Sequence, residues 1–430
     1  MSLKRQKTTL EERVTISEQA QAGRSSREIA EAMGCAVATV RKWRQRYRRA
    51  GRAGLSSVMG RPVQGALASV SAEMRAALLE LRDKHPGWGA QTLRLEISKD
   101  ERFVAMKTPS RGRIAAYLKE QKRVRKYERH EELASAPSQS VQRPHQEWEM
   151  DTQGITQVAG IGKASFINVL DVFSHLSIDS HACPHVSHPK TEAYQQVLRR
   201  AFIRYGLPEQ ISLDHDSVFF DNESASPFPS RIHLWLIGLG VGVRFIDKRP
   251  PLEHARIERH HQTIAGQAFE GQNFADVPAL QSSLQARILF LNLEYPTRAL
   301  RAQTPLQAFP DARHSGRPYS LEDEEQILDL QPIYAYLQTG RWFRQISTNG
   351  TCSLGGHSYN LSTQFAERPV QITFDAPSHS LIFQPEKSAA SLQFDIQGLT
   401  KFVLMGNAFA LPGYVPLQLA LPFAHPDTTL

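Results

Sequence analysis

The sequence predicts a multidomain protein: an all-α head, an α/β core and a small all-β module behind it. Three observations carry this. At 430 residues the chain exceeds one typical domain, and its 41% hydrophobic and 22% charged residues are globular proportions. Hydrophobic spacing is helical up to about residue 126, alternates between strands and helices from residue 147, and breaks into short strands after residue 341. Charge divides the same way: residues 1–130 hold 29 Lys and Arg against 13 Asp and Glu, leaving 22 against 30 for the rest. A basic head on a mildly acidic body points to a polyanion-binding module, with a merely solvated basic face as the alternative.

Other classes are disfavoured. Cys35, Cys183 and Cys352 lie far apart and form no CxxC pair, which argues against a zinc finger or a disulfide framework and fits a reducing cytosol. The N-terminus MSLKRQKTTL has no apolar signal-peptide core. The longest uncharged apolar stretch, about Phe402 to Phe423, is interrupted by Pro412, Pro416 and Pro422, which argues against a spanning helix. A cytoplasmic protein with no membrane partner is expected.

In the head, residues 9–49 read as three short helices. The first places Leu10, Val14 and Ile16 in a mostly polar pattern and stops at Gly23. The second opens at Ser25 or Ser26, with Glu28 near the capping-box position. After the turn at Gly34, VATVRKWRQRYRR carries Arg41, Lys42, Arg44, Arg46, Arg48 and Arg49, with Val40 and Trp43 as its inward stripe. Helix, glycine-containing turn, basic helix is the helix-turn-helix arrangement, whose last helix enters the major groove of duplex DNA. This first module is drawn at residues 1–58. A second spans 66–127: a helix ending near His85-Pro86, a Gly-Trp-Gly turn, a middle helix, and a third capped by Ser110 with Arg111, Arg113 and Lys119 as basic positions. Trp88 reads as a packing residue. Residues 128–144, rich in Ser, Gln and Pro, read as a linker.

The core, residues 145–310, reads in the order β-β-β-α-β-α-β-α. In its first strand Trp148 and Met150 face one side, and Glu149 and Asp151 the other. The helix KTEAYQQVLRRAFIRYG sets Ala193, Val197, Ala201 and Ile203 near one face and closes at Gly206. Asp214 ends the apolar stretch QISLDHD, and Glu258 follows a double proline in RPPLEHARIER. Residues 311–340 read as a connector and 341–395 as a β-rich module, where Asn349-Gly350 is a hairpin signal. Residues 396–430 form a tail whose role the sequence does not decide.

Three motifs carry a resemblance to the DDE family of transposases and integrases, as found in bacterial insertion sequences. Trp148-Glu149-Met150-Asp151-Thr152 matches the family's W-x-x-D-T element. Asp214-His215-Asp216-Ser217-Val218-Phe219 keeps the Asp and Phe of its D-N-G-x-x-F element, but not the Asn and Gly. Pro251 to Arg259 keeps the Pro, Glu and Arg of P-x-x-N-G-x-x-E-R, with His254 and Ala255 in place of Asn and Gly. The 43 residues between Asp214 and Glu258 exceed the family's usual spacing, and the polar insert FFDNESASPFPS accounts for the excess. Pro86-Gly87-Trp88-Gly89-Ala90 resembles the turn of the second helix-turn-helix in such transposases, and residues 341–395 resemble the small β-barrel of Mu-type transposases.

The resemblance implies a ribonuclease-H-like core in which Asp151, Asp214 and Glu258 are the catalytic, metal-holding carboxylates for Mg²⁺, with Mn²⁺ as substitute. Hard divalent cations prefer carboxylate oxygens, and paired ions clamp the attacking and leaving oxygens of a phosphodiester. Asp216 and Glu253 stand as alternative ligands. A histidine-bound zinc site from His215, His254, His260 and His261 lacks a recognisable ligand spacing, and His260 and His261 are expected on DNA or on the exposed side of their helix. Lys248, Arg249, Arg256 and Arg259 are expected to hold phosphates near Glu258. Implied partners are double-stranded DNA (element ends and target), further copies of the chain, and an ATPase helper. A catalytically inactive repressor and a structure-specific nuclease on the same fold are the alternatives.

Overall fold

A computed structural model describes residues 8–56, 65–124, 141–222, 224–246 and 255–406. The chain divides into two compact units, Met1–Ser69 and Val70–Leu430.

The first unit is three helices, α1 (Leu10–Gln21), α2 (Ser26–Ala32) and α3 (Val37–Ala50), followed by a 3₁₀ turn over Gly51–Leu55. Thr9 and Ser25 close the first two helices with full capping boxes, each reciprocated by the Glu at its third position, Glu12 and Glu28. Ile16, Ile29, Val40, Trp43 and Leu55 form the core. Leu10 is 54% exposed, because it opens α1 ahead of the first buried turn. Arg13 lies in the interior instead: its guanidinium sits 4.2 Å from the Trp43 ring centre and donates to Leu55 O at 3.0 Å.

In the second unit α4 (Ala72–Lys84), α5 (Ala90–Lys99) and α6 (Arg111–Glu120) come first, with Ser71 and Ser110 capping α4 and α6. The core then runs β1 (Glu147–Val158), β2 (Gly162–Asp171), β3 (Ser177–Pro184), α7 (Thr191–Tyr205), β4 (Gln210–Leu213), α8 (Arg231–Gly238), β5 (Gly242–Phe245), α9 (Ala255–Ala268) and α10 (Val277–Leu293). This is the order read from the sequence, with α10 added. The sheet order is β3-β2-β1-β4-β5; β1, β2 and β3 pair antiparallel, while β1, β4 and β5 pair parallel. Alternation along the strands feeds two cores. Trp148, Met150, Ile167 and Val169 pack with α7 and α8, while Ala164, Phe166 and Ala182 pack with α9 and α10. Ile203 is 37% exposed rather than on the buried face of α7, which is made by Tyr194, Val197, Leu198, Ala201, Phe202 and Tyr205.

Residues 311–340, read as a connector, pack into the core as short helices. After α11 (Pro305–Ala308) the chain forms α12 (Glu324–Ile327) and α13 (Gln331–Gln338), which bury Leu328, Ile333 and Leu337 in the core. Glu324 is fully buried: it accepts two hydrogen bonds from Arg199 at 2.7 Å, one from the Trp235 indole at 2.7 Å and one from the Tyr319 hydroxyl at 2.6 Å. Arg199 also donates to Met405 O at 2.7 Å, tying in α14 (Lys401–Met405). A charge this deep is tolerated because every carboxylate oxygen is paired.

Between α13 and α14 the expected barrel is not closed. β9 (Pro369–Asp375), β10 (Ser380–Pro385) and β11 (Leu392–Asp395) join β6 (Trp342–Gln345) in an open antiparallel sheet, order β11-β10-β9-β6. The hairpin β7 (Thr351–Leu354) and β8 (His357–Asn360) stands as a two-stranded sheet of its own, so no strand bridges β11 to β6. Asn349-Gly350 turns the chain between β6 and β7, with Gly350 at φ 74°, where a side chain is strained. The linker bounds and the tail beyond residue 406 fall largely outside the described residues. Among the described residues, no helix is long and apolar enough to cross a membrane.

Removing the cation of the buried pair leaves Glu324 uncompensated. Arg199→Leu is expected to cost about 3–5 kcal/mol, read as a lower urea midpoint by tryptophan fluorescence.

Candidate active site

β1 and β4 lie side by side in parallel, with Glu147 opposite Gln210, Trp148 opposite Ile211 and Glu149 opposite Ser212. Two residues beyond the last pair, β1 carries Asp151 on the face opposite Trp148 and Met150, and Asp214 follows directly after the end of β4. Both aspartates are half-buried. One oxygen of each is held by local backbone: Thr152 N–H donates to Asp151 Oδ1 at 2.8 Å, and Asp216 N–H to Asp214 Oδ1 at 3.1 Å. The Thr152 hydroxyl is itself fixed by Tyr194 Oη at 2.7 Å.

α9 packs over β1 and β2, and its residues distribute differently from the expectation. His260 and His261 are buried, not exposed. They occupy the inward face of the helix with Ile257 and Ile264, and α10 closes the core beside them. His260 Nε2 meets Ser177 Oγ at 3.2 Å, while His261 Nε2 lies 3.8 Å from Asp151 Oδ2. Burial pulls the two imidazoles down, His260 to about 3 and His261 to about 4, the latter against the opposing pull of Glu258. Both are therefore neutral at pH 7, and the His261–Asp151 approach is not an ion pair there. Glu258 is exposed, one turn before His261. That i, i+3 spacing was the available signal for His261 as a site residue.

Asp216 does not share a strand face with Asp214, because β4 ends at Leu213. Its Oδ1 instead accepts from Val218 N–H at 3.1 Å, closing a turn, and its Oδ2 lies 3.7 Å from His188 Nδ1. Glu253, His254, Lys248 and Arg249 fall outside the described residues. Arg259 is exposed and Arg256 half-buried. Arg256 acts on Glu149, a carboxylate with only 2% exposure whose pKa burial pushes up to about 8 against that positive charge. In the head Arg41, Lys42 and Arg48 are exposed, whereas Arg44 donates to Ser26 Oγ at 2.7 Å and Arg46 lies 5.3 Å from the Trp43 ring centre. Arg111 and Arg113 are exposed on α6.

Three polar atoms near the aspartate pair are buried without a hydrogen-bond partner: Glu149 Oε1, His215 Nδ1 and His261 Nε2. Together with two hard carboxylates, this polar lining suits a divalent cation in chemistry. Glu258 is not gathered with the pair. Among the described residues no three of His, Cys, Asp and Glu are disposed to hold a metal ion, by carboxylates or as a histidine zinc site.

Two family models match the head of the chain. A helix-turn-helix domain matches residues 12–62 and a homeodomain-like domain residues 39–130. Among solved structures, a simian T-cell lymphotropic virus intasome in complex with PP2A regulatory subunit B56 gamma matches over 74% of this chain and 96% of that chain, at 12% identity and TM-score 0.33. The catalytic core domain of BIV integrase matches over 39% and 95%, at 14% identity and TM-score 0.28. The HTLV-2 integrase catalytic core domain in complex with magnesium matches over 39% and 96%, at 15% identity and TM-score 0.28. At these identities and scores the likenesses decide neither family nor chemistry.

For both α9 imidazoles the folded-state value lies below the ordinary 6.5, so the unfolded chain takes the proton first as pH falls. Their stabilisation is therefore full above pH 6.5 and lost towards pH 4, at about 1.4 kcal/mol per pH unit for each imidazole. Amide exchange in Ala255–Ala268, corrected for intrinsic rate, should accelerate across that window, and His260→Asn should flatten the profile.

Proposed function

We propose that the chain is a DNA transposase of the integrase type. On this reading it binds element ends through its helix-turn-helix modules, then cuts and joins DNA on a ribonuclease-H-like core at Asp151, Asp214 and Glu258. The observation that carries the proposal is the parallel β1–β4 pairing, which runs towards Asp151 on β1 and towards Asp214, the first residue past the end of β4. The matches of two helix-turn-helix models to the basic head support the DNA partner.

Asp151 and Asp214, with Glu258, would hold Mg²⁺, or Mn²⁺ in its place. When bound, such ions neutralise phosphate charge and activate the attacking oxygen. The rest falls to side chains and backbone. Thr152 and Asp216 N–H groups fix one oxygen of each aspartate, so the acids need little reorganisation. His261, neutral at pH 7, faces Asp151 without adding charge. Water first attacks the phosphodiester at the element end, freeing a 3′-hydroxyl, and that hydroxyl attacks a target phosphodiester in line, releasing its 3′-oxygen. Arg41, Lys42, Arg48, Arg111, Arg113 and Arg259 are exposed and suited to phosphate contacts; Lys248 and Arg249 are proposed alongside them, and Arg44, Arg46 and Arg256 as secondary contributors. Two paired ends call for a homo-multimer on DNA in the cytoplasm, and an ATPase helper is a partner to test for.

One observation favours a second reading, a non-catalytic DNA-binding repressor: Glu258 is exposed and apart from the aspartate pair. Purified protein with Mg²⁺ or Mn²⁺ on DNA carrying its element's own ends separates the two. Asp151→Asn or Asp214→Asn should lower 3′-end cleavage and joining about a thousandfold, several kcal/mol of transition-state stabilisation, while Asp216→Asn retains activity. End binding with no cleavage or joining under either metal would leave the repressor. Binding should also weaken with salt, and Arg48→Ala should reduce the slope of log K against log salt by about 1.

A further inference from the structure

The module α4–α6 is built into the core through the far end of the helix that carries Glu258. The Trp88 indole, 7% exposed, donates to the main-chain oxygen of Gln267 at 2.9 Å. That carbonyl lies in the last turn of α9, where the helix supplies no partner, so the indole acts as a cap delivered from another element. Gln267 Nε2 donates to Thr92 Oγ1 on α5 at 2.8 Å, and its Oε1 accepts from Arg287 on α10 at 2.8 Å. Arg287 closes the ring by pairing with Glu96 at 2.7 Å and lying 4.6 Å from the Trp88 ring centre.

The contact has no slack. A Cβ on Gly87 would lie 2.1 Å from Gly266 O, where backbone meets backbone, and one on Gly271 would lie 2.8 Å from the Pro86 ring. Meanwhile α6 turns Ile114 and Leu118 inward and leaves Arg111, Arg113 and Lys119 exposed, flanked by exposed Lys107 and Lys122. A convex helix with an exposed basic face, within a segment matched by a homeodomain-like model, fits the phosphates and groove of duplex DNA.

We infer that α4–α6 and α9 form one reading unit: duplex DNA gripped by α6 is held in fixed register to the Glu258 helix of the same protomer, and its binding stiffens α9 through the Trp88–Gln267 clasp. Trp88 and Thr92 are positioning residues here, far along α9 from Glu258. The inference rests on the DNA-binding part of the function proposed above and not on catalysis. Ordering the module also restricts whatever is rigidly fastened to it, so a ligand on α6 slows opening of α9.

Hydrogen exchange on the full chain tests this, with a random-sequence duplex at low salt as the probe, since electrostatic binding needs no cognate sequence. Saturating duplex should slow exchange across Ala255–Ala268 about fivefold, the scale of one buried hydrogen bond. Arg111→Ala with Lys119→Ala should weaken duplex binding and, at duplex concentrations that saturate the remaining contacts of α3, lose the slowing in α9. Trp88→Phe, which keeps the ring and removes the donor, should also bind and lose it; the isosteric Thr92→Val should lose part of it. Equal slowing in the Arg111/Lys119 variant, or duplex binding that leaves wild-type α9 unchanged, overturns the coupling while DNA binding stands. No duplex binding at all overturns both, and the binding signal tells the two failures apart.

Discussion

The parallel pairing of β1 with β4 is the constraint on which the rest of the second unit depends. It joins the antiparallel half of the sheet to the parallel half, and its register brings residues 63 positions apart in sequence to one level. Strand parity does the rest. With Trp148 and Met150 committed to the core under α7, Glu147, Glu149 and Asp151 must all face the other way. That face therefore starts as a row of acids, and each meets a different environment. Glu147 pairs with Arg244 at 2.5 Å, Glu149 is buried without a full set of partners, and Asp151 stays half-open just past the part of β1 that pairs with β4. A one-residue slip would turn the acids into the apolar core under α7 and the tryptophan onto the face under α9.

Much of this was legible because it is local. Alternation in EWEMDTQ fixed the facing of Asp151, and Ser25 and Ser110 announced their helices through short-range capping. What could not be read depends on partners distant in sequence. Glu324 reads as one acid among several in LEDEEQ, and only Arg199, 125 residues earlier, makes it a core residue. His260 and His261 look solvent-seeking by composition; their burial comes from α10 and β3, which pack around them. Barrel closure likewise hangs on long-range strand pairing, and β7–β8 pairs with itself instead.

The candidate site shows the same division. The register sets β1 beside β4, whereas the position of Glu258 follows from how α9 is anchored, by His260, Ile257 and Ile264 on its inward face and by Trp88 at its end. Asp151 is thus positioned through a sheet and Glu258 through a helix.

The insert between Asp214 and α9 has a consequence for how such chains vary. Ser226, Pro227 and Phe228 grip β6: the Trp342 indole donates to Pro227 O at 3.2 Å, Arg344 donates to Ser226 O at 2.8 Å, and the Phe228 ring lies tilted with its centre 4.9 Å from that of Trp342. Gly355 lies so close that a Cβ there would come within 2.9 Å of Phe228. The extra length is a strap that fastens the C-terminal sheet to the core. Trimming it would not give a leaner core; it would uncover Trp342 and unmoor the sheet. Insert and sheet are then expected to be inherited as a pair, gained or lost together among related chains.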